Sequence, residues 1–387
     1  MKAARAKKCV VKHRAFRRAG GSSEHFIFVA PGPAGSFQAQ AAAAAAGYAG
    51  ALRDLGLRPD SAVFRRLFLD GAPGRAGGLA RGPLLSAPGE GPVALSLLTQ
   101  PPLNGGKLAL LAYHVQGAAP LPKRRLGPGH LALEAGGLRH IWSAGLRGPA
   151  GKSPGRQTAA LFAGLSDRLR RGGGSLRGNC VRTWLYLRDI DRDYGEMVAA
   201  RRAAFRRLGL TRRTHYIAST GIEGSPAGSR CLVGLDAYSV LGLRRRQVSY
   251  LNDFSRLCRT ADYNVTFERG TRVAYADRAH YFISGTASID KAGNILHPGD
   301  AARQLGRALG NLEALLKAGG AGLCDLMYLI VYLREPADYP RVEGILKKKF
   351  PGLPVAAVRG AVCRPGWLVE IEGVAVAGFS GTGLPRF

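Results

Sequence analysis

Acidic residues are scarce in this chain. Only 26 Asp and Glu stand against 56 Lys and Arg, a formal net charge of +30. Cysteine is sparse as well: Cys9, Cys180, Cys231, Cys258, Cys324 and Cys363 are scattered, with no CxxC pair and no histidine at zinc spacing. That pattern excludes a zinc site and, in a chain this long, a disulfide framework. Long apolar runs are missing; Ala41–Ala46 and Leu108–Tyr113 fall far short of the roughly 18 residues of a membrane span. No apolar stretch follows the basic start, so no secretory signal is read and a reducing, cytoplasmic setting is expected. Glycine and proline are plentiful (54 and 22) but keep no Gly-X-Y period, which excludes collagen. What is present is 46% hydrophobic and 8% aromatic residues over 387 positions. That is enough for real cores, excludes a wholly disordered chain, and leaves room for two or three units of about 150 residues.

The basic excess raises nucleic-acid binding, but the arginines are spread along the chain. Runs such as Arg168–Arg171, Arg201–Arg207 and Lys347–Lys349 read as solvated helix faces. No RNP-like aromatics, helix-turn-helix pattern or finger spacing accompany them. A small polyanionic substrate suits the same positive field.

The chain repeats itself. His140 opens HIWSAGL, then RQTAALFAGLSDRLRRGGG, VRTWLYLRDI and DYGEMVAARRAAFRRLGL; His280 opens HYFISGTASI, then RQLGRALGNLEALLKAGG, MYLIVYLREP and DYPRVEGILKKKFPGL. Arg156-Gln157 matches Arg303-Gln304, Tyr186-Leu187 matches Tyr332-Leu333, Asp193-Tyr194 matches Asp338-Tyr339, and Phe205 matches Phe350. Each copy parses as strand, helix, strand, helix, strands. In the second copy Asp300 is the expected N-cap; Leu305, Leu309, Leu312 and Leu316 form a buried stripe, Gly319-Gly320 ends the helix, and Leu326–Leu333 is a buried strand. A degraded copy lies upstream: strand Phe26–Ala30, helix Phe37–Leu55 ending at Gly56, strand Ala62–Leu69, a Gly/Ala/Pro-rich segment in place of the second helix, and strands Val93–Leu98 and Leu108–Val115. The expected divisions are a basic arm over 1–21 and modules over 22–118, 119–250 and 251–387. Together they predict an α+β body of mixed sheets with helices on one face, arranged around a pseudo-threefold axis with sites at the seams.

The module resembles the YjgF-type reactive-intermediate deaminase fold, and the whole is similar to the chorismatases. The segments carrying the likeness are Thr214–Gly224 (THYIASTGIEG), Val265–Val273 (VTFERGTRV), Ile283–Ile289 (ISGTASI), His297–Asp300 (HPGD) and Cys363–Gly373 (CRPGWLVEIEG). The resemblance covers about residues 90–380. It implies hydrolytic or eliminative release of pyruvate from the enolpyruvyl ether of chorismate. No cofactor and no metal are implied, nor any membrane or nucleic-acid partner, and the pseudo-trimer is expected to stand as a monomer. A deaminase of the parent fold carries an Arg just after the Pro that opens the penultimate strand. Here Ala356 occupies that place, and Arg213 is its counterpart in the second module.

Aligning the last strands without gaps (Leu108–Val115, Val233–Val240, Val369–Val376) puts Ala109, Gly234 and Glu370 at one position. Glu370 and Glu372 alternate with Ile371, so both face one side of a strand. Glu370 matches the chorismatase general acid; Trp367, Leu368 and Ile371 are candidates for the dry surroundings that keep a carboxyl protonated. Cys363 matches the position that separates the 3-hydroxybenzoate branch from the branch forming a dihydroxycyclohexadiene carboxylate, and cysteine points to the former. Chorismate has two carboxylates, which planar guanidinium groups bind well. Arg182, Tyr216, Thr220, Tyr263, Arg269, Arg272 and Arg364 are the candidate substrate-binding residues. The rival readings are an imine/enamine deaminase and a non-catalytic nucleic-acid-binding protein on this scaffold.

Overall fold

The computed structural model describes residues 9–79, 82–263 and 265–387, the side chains of Ala261 and Tyr263 excepted. The first module runs β1 (Val10–Phe16), β2 (Ser23–Ala30), α1 (Phe37–Asp54), β3 (Ala62–Leu69), α2 (Arg75–Leu79), β4 (Ala94–Thr99) and β5 (Leu108–Gln116). The second runs β6 (Lys123–Gly127), β7 (His130–Ala135), β8 (Leu138–Arg147), α3 (Pro154–Arg171), α4 (Leu176–Asn179), β9 (Cys180–Leu187), α5 (Ile190–Arg207), β10 (Ala218–Glu223), β11 (Ser225–Pro226) and β12 (Val233–Leu241). The third runs β13 (Val248–Tyr250), β14 (Gly270–Ala274), β15 (Arg278–Ala287), α6 (Ala301–Ala318), β16 (Leu326–Leu333), α7 (Tyr339–Lys349), β17 (Val355–Arg359) and β18 (Val369–Gly378).

Local signals set these bounds. Asp300 caps α6 by accepting from the Arg303 amide at 2.9 Å, and Leu305, Leu309, Leu312 and Leu316 of that helix are buried, as is Leu315. Ser36 caps α1, and Gly56 leaves it at φ +63, a conformation that suits glycine. Three six-stranded sheets result, ordered β1-β2-β5-β3-β4-β11, β10-β9-β12-β8-β7-β6 and β13-β14-β15-β18-β16-β17. Each has one parallel pair (β3/β4, β9/β10, β16/β17) in an otherwise antiparallel ladder, and its final long strand is central. Helices α1, α3 and α6 cover one face of each sheet. The bare faces turn toward one another, as a pseudo-threefold body requires. Rings meet across every seam: Phe64 and Trp142 at 4.9 Å, Tyr238 and Phe282 at 5.2 Å, Phe26 and Tyr328 at 5.7 Å.

Three expectations need correcting. Within the basic arm, Val10–Phe16 is an edge strand that pairs antiparallel with β2 along its whole length, and its backbone hydrogen bonds there hold it against the body. The second helix of the first module survives as one short turn, α2, since its Gly-rich sequence cannot hold more. The boundary at 250 falls too late: Val248–Tyr250 pairs with β14 and belongs to the third sheet, while Ser225–Pro226 crosses to the edge of the first. No helix among the described residues is long and apolar enough to cross a membrane.

One buried polar cluster ties the first module to the third. Glu24 on β2 accepts from Arg278 at 2.8 Å and from Tyr113 at 2.7 Å, and lies 2.9 Å from the His280 ring. Burial alone would raise the Glu24 pKa, but His280, Arg278 and Tyr113 outweigh it and hold Glu24 at about 2 instead of 4.5. Nearby His140 is pushed down to about 3 by burial and by His280. Both shifts remove stability as pH falls: His140 below its ordinary 6.5, and Glu24 from 4.5 toward 2. Glu24→Gln should therefore cost about 3–5 kcal/mol near neutrality, as expected for breaking a buried ion pair. It should also flatten the acid limb of stability below pH 4.5. Urea denaturation across that range checks this; an unchanged acid limb would show that Glu24 does not carry it.

Candidate active site

The Glu370 carboxyl is positioned by the strand register. β18 places Glu370 opposite Tyr332 on β16 and Ala287 on β15, with Glu372 opposite Ile330. Both carboxyls face the second module, whereas Ile371 lies on the opposite side of the strand. The ladder between β15 and β18 shifts register between Ile283 and Thr286, and Gly285 sits in that bulge. A Cβ on Gly285 would stand 2.3 Å from Glu370 Oε1, so glycine makes the room for this carboxyl. Across the seam β10 brings in Ser219, whose amide donates to Ser284 Oγ at 2.9 Å, and Thr220.

These residues enclose a small cavity of about 40 Å³. The third module supplies Glu370, Gly285, Ala287, Ile289, Cys363 and Trp367, with Phe267 and Arg269 from the loop before β14. The second supplies Tyr194, Arg201, Ser219, Thr220 and Gly221. Glu370 is 7% exposed. Its pKa is pushed up to about 8, first by burial and then by the neighbouring Glu372 charge, against the opposing pull of Arg182 and Arg269. The Cys363 thiol is pushed up to about 12 by burial and by Glu370. At neutral pH the site thus holds a carboxylic acid and a thiol, with two guanidinium groups in its wall. Such a site can donate a proton to a bound anion. Among the described residues no group of His, Cys, Asp and Glu is placed to hold a metal.

Not every candidate lies where the sequence suggested. Glu370, Cys363, Thr220 and Arg269 line the cavity together. Arg182 is not in the cavity wall: its Nη2 donates to Glu372 at 2.5 Å and to Thr220 at 2.5 Å, while its buried Nη1 has no partner among the described residues. Arg272 is elsewhere: it bonds Tyr281 and lies over the Phe379 ring at 4.5 Å, because β14 turns it away from the seam. Tyr216 stacks near Phe205 at 6.3 Å, outside the cavity. Arg364 lies over the Trp367 ring at 4.9 Å, beside the cavity wall and not in it. The Tyr263 side chain lies outside the described residues. The dry surroundings come from Trp367, Phe267, Ala287 and Ile289; Leu368 and Ile371 are not in the wall.

Arg201, Tyr194, Phe267 and Ser219 escaped the sequence reading. The run Arg201–Arg207 looked solvated, yet Arg201 is 2% exposed and donates from Nε to Thr266 at 3.2 Å. Its signal was present: Arg201 interrupts the apolar stripe Met197, Val198, Ala204 and Phe205 of α5. Ala356 is buried in β17 and Arg213 is exposed, so neither supplies a deaminase-type arginine to this cavity.

A family profile described as Endoribonuclease L-PSP matches residues 271–377. The 3-aminoacrylate deaminase RutC of Acinetobacter baylyi (strain ATCC 33305 / BD413 / ADP1) is 31% identical over 96 residues, 24% of this chain and 76% of that protein. The chain therefore belongs to this family, the YjgF-type proteins. The crystal structure of a chorismatase superposes with a TM-score of 0.59 at 19% identity, covering 82% of this chain and 93% of that one. The tandem arrangement of three YjgF-like modules is thus the chorismatase fold.

Glu370 can be tested without a substrate. Between pH 4.5 and about 8 an unfolded chain ionises this carboxyl while the folded one keeps its proton, so stability falls as pH rises. Glu370→Gln should melt above the parent, by a margin that widens from the acid to the alkaline end of that window. Scanning calorimetry at both ends decides; a margin of equal size at each would show that Glu370 is not held protonated.

Proposed function

We propose that the protein is a chorismatase that releases pyruvate from chorismate with Glu370 as the general acid. The observation that carries this reading is a buried carboxyl held at about 8 in a dry seam whose wall contains Arg201 and Arg269. Cleaving an enolpyruvyl ether begins with protonation of its terminal vinyl carbon, which an acid kept neutral at physiological pH can supply. Glu370 gives up its proton, the C–H bond forms, and positive charge develops at the ether carbon. The carboxylate left behind, with Glu372 beyond it, faces that charge. Arg201 and Arg269 hold substrate carboxylate. Arg182 acts through Glu372 and Thr220 as a positioning residue. Admitting a ring-sized ligand requires the loop walls carrying Phe267 and Cys363 to move apart.

Two outcomes balance. Addition of water to the cation and collapse gives pyruvate and a dihydroxycyclohexadiene carboxylate. Capture by the ring's own hydroxyl closes a cyclic ketal. Loss of a ring C–H proton with cleavage of that hydroxyl's ring C–O bond makes the ring aromatic, and collapse of the remaining hemiketal gives pyruvate and 3-hydroxybenzoate with no net water. The protonated Cys363 thiol occupies space beside the ring that a water would otherwise take, which favours the second route. A deaminase is the second reading, favoured by the likeness to RutC and opposed by Ala356; ammonia release from 3-aminoacrylate or a related enamine without chorismate turnover would select it.

Incubation with chorismate and chromatography of the products tests the reading. Pyruvate and 3-hydroxybenzoate are expected, with kcat/KM falling as pH rises through about 8. Glu370→Gln should keep the fold and lose about two orders of magnitude or more of turnover. Cys363→Ala should still release pyruvate but shift product toward the non-aromatic diol. Near-normal turnover of the Gln variant removes Glu370 from the chemistry, and an unchanged product ratio reduces Cys363 to packing.

The three modules also complete a threefold body within one chain, and we propose that it works as a monomer. Sedimentation should give one chain of 41.0 kDa. A stable homotrimer contradicts this.

A further inference from the structure

The pseudosymmetry gives three seams, and the registers let them be compared residue by residue. Ser96, Thr220 and Ala356 lie opposite Arg66, Trp184 and Ile330, the matching positions of β3, β9 and β16. Ala109, Gly234 and Glu370 hold the second position of β5, β12 and β18. Tyr339 on α7 corresponds to Tyr194 on α5, and Leu346 therefore to Arg201.

The three seams have met different fates. Between the second and third modules lies the Glu370 cavity. Between the first and second, Pro226 fills the place: a Cβ on Gly234 would stand 2.5 Å from its ring. Between the third and first a cavity of about 500 Å³ is open, far larger than the catalytic one and of small-ligand size. Its wall replaces the polar groups of the catalytic seam one by one: Ala109 for Glu370, Leu346 for Arg201, Ala356 for Thr220. Phe28, Phe350 and Val358 complete the apolar surface. None of the buried, unsatisfied polar atoms among the described residues lies in this wall, so nothing there demands a polar ligand group.

The polar groups are Lys12, Asn104, Tyr339, Glu343 and Lys347. Glu343 is already engaged, accepting from Tyr339 at 2.9 Å and paired with Lys347 at 2.9 Å. Half-buried Lys12 donates one hydrogen bond, to the Pro351 carbonyl at 2.7 Å, and an ammonium has three N–H groups to offer. The balance of charge is one positive group beside an apolar chamber.

We propose that this seam is a second, non-catalytic ligand site for an apolar monocarboxylic acid, its hydrocarbon body against Phe28, Leu346 and Phe350 and its carboxylate on Lys12. The proposal does not depend on the chemistry at the Glu370 seam. Calorimetric titration of the full chain with octanoate, and separately with octan-1-ol, tests it. One octanoate should bind per chain with a negative heat-capacity change. Ala109→Leu and Ala357→Leu, which narrow the chamber, should abolish binding while circular dichroism reports a native fold. Lys12→Gln, on the edge strand, should weaken octanoate about tenfold, the scale of one hydrogen bond to a charged group, and leave octanol unchanged. Glu370→Gln should bind octanoate like the parent. Absence of octanoate binding by the parent chain, or undiminished binding by a folded Ala357→Leu chain, overturns the proposal, as does an equal loss of octanoate and octanol affinity in Lys12→Gln.

Discussion

A single buried carboxylate, that of Glu372, holds together side chains from all three modules. It is 1% exposed and accepts from Arg182 at 2.5 Å, from Trp184 Nε1 at 2.9 Å, from the Tyr332 hydroxyl at 3.0 Å and from Thr220, with Arg66 Nη1 at 3.7 Å. Arg66 comes from the first module, Arg182, Trp184 and Thr220 from the second, and Tyr332 from the third. An ion taken out of water costs several kcal/mol unless its lone pairs are fully used, and here they are. The charge that ties the modules also acts on Glu370 along the same face of β18, where it favours the protonated form. The assembly of the body and the acidity of the site therefore share a contributor, although burial is the larger cause of the Glu370 shift.

The same logic runs along the other central strands. The position of Glu372 is occupied by Asp236 on β12 and Leu111 on β5. Asp236 accepts from Ser96 at 2.6 Å, from Arg66 at 3.1 Å and from Tyr186 at 3.2 Å, so Arg66 bridges the two buried acids. Yet no proton donor follows from Asp236, because Gly234 stands where Glu370 stands in the third module. In the third module an anchor and a second acid stand together on one strand face.

Much of this was readable beforehand because the hydrophobic period of each element agrees with its neighbours. Ala62–Leu69 and Leu326–Leu333 are strands over those same residues, and Asp300 caps the helix it was expected to cap. The alternation of Glu370 and Glu372 with Ile371 places both acids on one face, and the strand pairing keeps them there. What escaped is direction across a seam. Arg182, Arg269 and Arg272 sit in similarly suggestive motifs, but one lies behind the cavity, one in its wall and one beyond it. That depends on which neighbouring module each strand faces, a property no local pattern records. Arg201 and β1 were hidden for a related reason: a charged residue reads as solvated unless the apolar residues flanking it are weighed as a surface.

The basic excess takes on a different meaning inside this architecture. Arg65, Arg66, Arg182, Arg201 and Arg278 are among the largest fully buried side chains. Four of them meet acids in the interior: Arg65 with Glu90, Arg66 with Asp236, Arg182 with Glu372, Arg278 with Glu24 and Asp277. These pairs nearly cancel, so the interior consumes acids that the chain can least spare. The surplus of +30 is consequently concentrated toward the surface. A positive surface draws small anions toward its clefts and raises their local concentration, an effect that weakens as salt screens it. Such a field needs no nucleic acid to account for it. It suits a chain with one seam lined by guanidinium groups and another bordered by Lys12.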